Sequence, residues 1–152
     1  MKNLLSFTCG FAILLTVFSC KKSNEESPIS GKLEGTWELR QSYSMAGKLN
    51  YAAGNGTTLT FKGDTFEMYQ SASKVNSGGF QIKEDGNVAQ EVGLTIPDGV
   101  FPQYLSFSGL SAPDRYPSDS KIYFRTTKDS LYTIEGFFPS DGGSASSYVK
   151  IQ

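Results

Sequence analysis

From Gly35 onward, apolar and polar residues alternate in short runs separated by turn residues. The clearest run is the first. Trp37, Leu39, Gln41, Tyr43 and Met45 fall on one face, and Thr36, Glu38, Arg40, Ser42 and Ser44 fall on the other. A period of two with one mostly apolar side predicts a strand with a buried face. Thr57 to Lys62 carries Leu59 and Phe61 on one side. Thr65 to Gln70 carries Phe66 and Met68, and the short Gly63-Asp64 connection predicts a hairpin between the two. Ser71 to Ser77 reads as a polar loop, and Gly78 to Glu84 as a strand with Phe80 and Ile82 on one face. Glu84-Asp85-Gly86-Asn87 reads as a hairpin turn, since Asp-Gly suits the primed turn types, with Val88 to Ile96 as the returning strand. Around Pro102 the apolar pattern of Val100, Phe101, Tyr104, Leu105 and Phe107 is broken, which argues for an edge, a bulge or a strand start. Ser108 to Ser120 is a long loop. Lys121 to Thr127, Ser130 to Phe138 and Ser146 to Gln152 complete the strands, with a turn at Ser140-Asp141-Gly142-Gly143.

No window of ten or more residues has helical spacing. Eight to nine short strands joined mostly by tight turns predict an all-β fold. The economical topology is an antiparallel up-and-down eight-stranded barrel, because closure removes exposed edges; a β-sandwich is the alternative. The expected inner face holds Trp37, Leu39, Tyr43, Phe61, Phe66, Met68, Phe80, Ile82, Phe124 and Leu131. Aromatics and a methionine suit an apolar cavity, and they suit a filled core equally well. Eight strands leave room for packed side chains or for one small ligand. Tyr43, with a hydroxyl on that face, is the expected contact for a polar ligand atom. Arg115 and Tyr116 in the long loop are candidates for the barrel mouth, where they would meet a sugar or a protein.

The N-terminus follows a different pattern. Lys2 precedes an apolar stretch from Leu4 to Phe18. This is short for a membrane span, which needs about 20 residues, and fits a signal peptide. It ends in Leu15-Thr16-Val17-Phe18-Ser19-Cys20. A small residue directly before a cysteine, closing an apolar run, resembles the lipobox of bacterial lipoproteins. The resemblance implies cleavage after residue 19, acylation of Cys20 and a bacterial outer-membrane location. Multiple acyl chains give stable anchoring. Residues 20–32 are the lipidated cysteine and a polar tether, whose twelve residues after Cys20 span roughly 20 Å as a flexible chain. Lys21-Lys22-Ser23-Asn24-Glu25-Glu26 also resembles the charged export tags of surface lipoproteins. Residues 33–152 form the folded domain.

Composition narrows the chemistry. Of 152 residues none is histidine, so His-based triads, metal sites and general bases are excluded. Cys9 lies in the signal segment, so Cys20 is left without a disulfide partner. Removing Lys2 with the signal leaves 13 basic against 15 acidic residues, a charge that gives nucleic acid no basic field. The carboxylate pairs Asp64 with Glu67 and Glu84 with Asp85 could serve acid–base chemistry. Asp64 and Asp85 sit in turns that favour Asp for backbone reasons. The reading is therefore no enzyme, no catalytic residue, no metal and no cofactor, in a monomer.

Gly35-Thr36-Trp37 opens the domain and contains the single tryptophan. Gly-x-Trp at the start of the first strand resembles the lipocalins. The ending, Leu131-Tyr132-Thr133-Ile134 followed by a Gly-rich turn and Ser147-Tyr148-Val149-Lys150, is similar to that of lipocalin-like bacterial lipoproteins. The resemblance covers roughly residues 33 to 152. It implies a barrel with a central cavity, and a basic side chain over the tryptophan: Lys150, or Arg125 as the alternative. The chain departs from larger lipocalins in having no helix after the barrel and no disulfide. The functional expectation is a lipid-anchored envelope protein binding a small hydrophobic or amphipathic ligand. The alternative is an interaction module that contacts protein or glycan through its loops.

Overall fold

The computed structural model describes residues 32–115 and 120–152. The signal segment, Cys20, the tether up to residue 31 and Tyr116 lie outside the described residues.

Nine strands run antiparallel in one sheet: β1 Gly35–Ser44, β2 Gly47–Asn50, β3 Thr58–Lys62, β4 Thr65–Gln70, β5 Ser73–Glu84, β6 Gln103–Ser108, β7 Lys121–Thr126, β8 Ser130–Glu135 and β9 Ser144–Lys150. From β3 to β9 each strand pairs with its chain neighbour, and β1 pairs with both β3 and β9. This closes an eight-stranded up-and-down barrel and excludes the sandwich. The ninth strand, β2, is a flap that extends the far half of β1, with Ser44 opposite Gly47 and Gln41 opposite Asn50.

The start of β1 explains its own sequence. Trp37 is fully buried, and its Nε1–H donates to the Leu33 carbonyl at 2.6 Å. Lys150 lies opposite it in register and holds its ammonium 5.3 Å from the ring centroid, an attraction of about 0.5 to 2 kcal/mol. Gly35 has φ +122°, and a Cβ there would sit 2.2 Å from the Gln152 carbonyl oxygen. Only glycine lets the end of the chain pass so close. Arg125 points elsewhere, over Tyr132 at 4.3 Å.

One irregularity decides which side chains face inward. Leu39 pairs with Tyr148, but Gln41 pairs with the next residue, Ser147, leaving a β-bulge at Arg40. Because side chains alternate with period two, one extra residue exchanges inside and outside for the rest of the strand. Trp37 and Leu39 face in. Ser42 and Ser44 also face in, opposite Ser146 and Ser144. Tyr43, expected inside, is on the outer wall, half-exposed, with its ring stacked at 6.2 Å on Phe138.

The inner core contains Leu33, Trp37, Leu59, Phe61, Phe66, Phe80, Leu105, Phe107, Ile122, Phe124 and Leu131, with Met68 and Ile82 packed against it. Phe61 meets Phe80 edge-on at 5.1 Å, and Phe66 meets Phe107 at 4.5 Å. These geometries add to area burial.

Three expectations of local structure are corrected. Val88 to Ile96 is not a strand. Val88–Val92 is a short helix, α1, and the returning strand is β6, which starts just after Pro102. Val88 and Val92 share one helical face, and both are buried. They cover Tyr123 and Ile134 on the outside of the barrel, together with Phe138. A helix this short gains its stability from that contact. Glu84 to Asn87 is accordingly no hairpin turn. Asp85 accepts the Asn87 N–H at 2.9 Å, Lys121 Nζ at 2.9 Å and the Tyr123 hydroxyl at 2.9 Å, which pins the excursion to β7. Ser71 to Ser77 is mostly strand. The turn is Ser71-Ala72, both with positive φ, and β5 runs from Ser73.

Trp37→Ala should destabilise the fold by about 3 to 5 kcal/mol, the cost of a large cavity at a closed barrel end. Urea unfolding measures it. A loss below about 1 kcal/mol would show that the end stays packed without the indole.

Candidate functional site

The aromatic residues expected to line a cavity are packed solid. Trp37, Phe61 and Phe66 are at most 1 % exposed, and Leu39, Phe80 and Phe124 are also buried. Met68 is partly accessible and borders a space of about 150 Å³ with Leu59 and Tyr148. Arg115 ends a 3₁₀ turn, Pro113–Arg115. That loop is anchored one turn earlier. The fully buried Asn76 side chain donates to the Ala112 carbonyl at 3.1 Å and accepts the Ala112 N–H at 3.0 Å.

The accessible part of the interior lies on the opposite wall, built by β8, β9 and the second half of β1. Following the register, the inward positions there are Leu131, Thr133 and Glu135 on β8, Ser144, Ser146 and Tyr148 on β9, and Ser42 and Ser44 on β1. Small hydroxyl side chains therefore face inward on three adjacent strands. Ser42, Ser44, Ser144, Ser146, Tyr148 and Glu135 all keep partial solvent access, although the register turns them inward. Protein surrounds Glu135 and Tyr148 closely enough to desolvate both.

Hydrogen bonds link groups along this wall. Ser144 Oγ donates to Glu135 Oε1 at 3.1 Å. Desolvation raises the Glu135 carboxyl above its ordinary 4.5, and the Ser144 hydrogen bond offsets only part of this. Desolvation likewise pushes the Tyr148 hydroxyl up to about 12, against hydrogen bonds with Ser146 and Thr133. The Ser42 and Tyr51 hydroxyls lie 3.2 Å apart beside them. At the rim a cleft of about 440 Å³ opens over Glu135 and Ser144, between α1 and the loop that follows β8, with Val92, Lys121, Tyr123 and Phe137 on its walls.

The other carboxylates are spent on structure. Burial alone would raise Glu38, but the Gly54 N–H, Arg40 and the Gly56 N–H hold it below the usual range. Glu67 is paired with Lys74 and accepts the Tyr69 hydroxyl at 2.8 Å. The Asn87 N–H, followed by Lys121, holds Asp85 down to about 2. Among the described residues, no three acidic or cysteine side chains gather as a metal site requires.

Sequence reasoning placed Leu131 inward but stopped there. The same period of two carries Thr133 and Glu135 to the same face, so both were within reach. Ser42 and Ser44 were not, because nothing in Leu39-Arg40-Gln41 announces a bulge. Comparison of the chain with protein-family models, with curated proteins and with solved structures finds no match.

Glu135 generates a pH test. Its folded pKa lies above the unfolded value, so the neutral carboxyl stabilises the fold below about pH 4.5, and this contribution is lost as pH rises through the folded pKa. Glu135→Gln should therefore melt higher than the parent at pH 7, with the gap closing as pH falls through the folded pKa towards 4.5 and staying closed below it. Thermal unfolding from pH 3.5 to 8 measures this. A gap that does not change with pH would place Glu135 in water.

Proposed function

We propose that this chain is a lipid-anchored, non-catalytic barrel of the bacterial cell envelope that holds a small amphipathic molecule. The anchor reading rests on the apolar segment that ends in Ser19-Cys20. The ligand reading rests on one observation: a rim cleft of about 440 Å³ lined by the Glu135 carboxyl and the Ser144 hydroxyl bonded to it. That volume falls within the range of about 300 to 1,000 Å³ usual for small-molecule sites. The lipocalin resemblance of Gly35-Thr36-Trp37 supports the same use of the fold. The site differs from a deep apolar calyx. Aromatics fill one side of the barrel, and the ligand is held near the rim by polar groups.

A second reading is an envelope interaction module. Tyr43, Met45 and Leu49 are exposed around the β1–β2 hairpin, on its two faces and its tip, where a partner protein could grip it.

Native mass spectrometry of the full chain, extracted with detergent from its own envelope, tests both parts. The expected result is a mature protein beginning at an acylated Cys20, with a small molecule that is released on denaturation. An unmodified N-terminus would remove the anchor. A clean apo mass in repeated preparations would transfer the role to the hairpin surface.

A further inference from the structure

The chemistry of the cleft narrows the class of ligand. Glu135 is the one carboxyl among the inward-facing residues of β8, β9 and β1, and among the described residues Ser144 is its single side-chain hydrogen-bond partner. No described lysine or arginine forms an ion pair with it. Among the described residues, no fully buried side-chain oxygen lacks a partner. Ser144 reaches Oε1, so Oε2 keeps access to solvent. Among the described residues the one cation on the cleft wall is Lys121, and it is already held by Asp85 at 2.9 Å and Glu91 at 2.7 Å. Lys121, Asp85, Glu91 and Glu135 together carry more acid than base. The cleft therefore repels anions and leaves one carboxyl without a counter-charge. The exposed ring of Phe137 supplies an apolar seat beside it.

We propose that the rim cleft binds a small amphipathic amine, with its ammonium on the Glu135 carboxylate and its hydrocarbon part against the exposed ring of Phe137. This rests on the carrier reading and gives it a ligand class. A primary ammonium has three donors. One satisfies Oε2, and the hydroxyls of Ser144 and its neighbours offer acceptors for the others. An alcohol makes the polar contacts without neutralising the carboxylate. A fatty acid brings a second negative charge.

The test is isothermal titration of the full-length protein at pH 7 with three probes of equal chain length: hexylamine, hexanol and hexanoate. Hexylamine should bind at least about tenfold more tightly than hexanol, the scale of a hydrogen bond between charged groups, and hexanoate should bind least. In Glu135→Gln the preference for hexylamine over hexanol should vanish. In Glu135→Asp, which keeps the charge, it should persist. The ranking of head groups is read on the wild type and does not depend on any variant folding. Hexanol or hexanoate binding as well as hexylamine would overturn the amine assignment and leave a carrier. A preference that survives Glu135→Gln would overturn it too. Binding of none of the three would overturn both this assignment and the carrier reading.

Discussion

The pairing of the first strand with the last is the constraint on which the rest of this molecule depends. It closes the sheet, so no strand of the barrel keeps an open edge except the short β2 flap. It also sets the two ends of the barrel apart. At one end Trp37, Lys150, Leu33 and the chain terminus lock together around Gly35, where only glycine fits. At the other, the bulge at Arg40 turns serines into the interior. One strand pair therefore builds both the plug and the opening.

The barrel carries two apolar layers. The inner one is continuous and aromatic. The outer one is smaller and forms where α1 and Phe138 lie over Tyr123 and Ile134. The outer layer is held by a polar network as well as by contact. Tyr123 is shielded from water and hydrogen-bonded to Asp85, both of which raise its pKa, while hydrogen bonds to Glu91 and Asp85 keep Lys121 firmly protonated. This layer fixes one wall of the rim cleft. The site is consequently made by a strand register on one side and by an insertion between β5 and β6 on the other.

The fold class was legible because period-two patterning is a local signal and turn residues mark its ends. Most inner aromatics followed from it, since Phe61, Phe66, Phe80 and Phe124 sit on regular strands. The candidate site was less legible for two physical reasons. A bulge is set by the partner strand, and the residues around Arg40 look like any other alternating run, so Tyr43 was placed inside and Ser42 outside. A helix of five residues shows too little of its period to be told from a strand, so Val88 to Val92 read as β. The polar wall was also hidden by the habit of seeking a cavity among large apolar residues. In a small barrel those residues fill the space they face, and the room is left where the side chains are small.

Nuclear Overhauser contacts from the Tyr43 ring test the central claim most directly, because the bulge decides them. The account predicts contacts to Phe138, whose ring centroid lies 6.2 Å away, and none to Phe124 or Leu131 inside the barrel. Contacts from Tyr43 to Phe124 or Leu131 would contradict it. They would mean that β1 runs in phase, that its serines face water, and that the polar cavity is filled by a tyrosine.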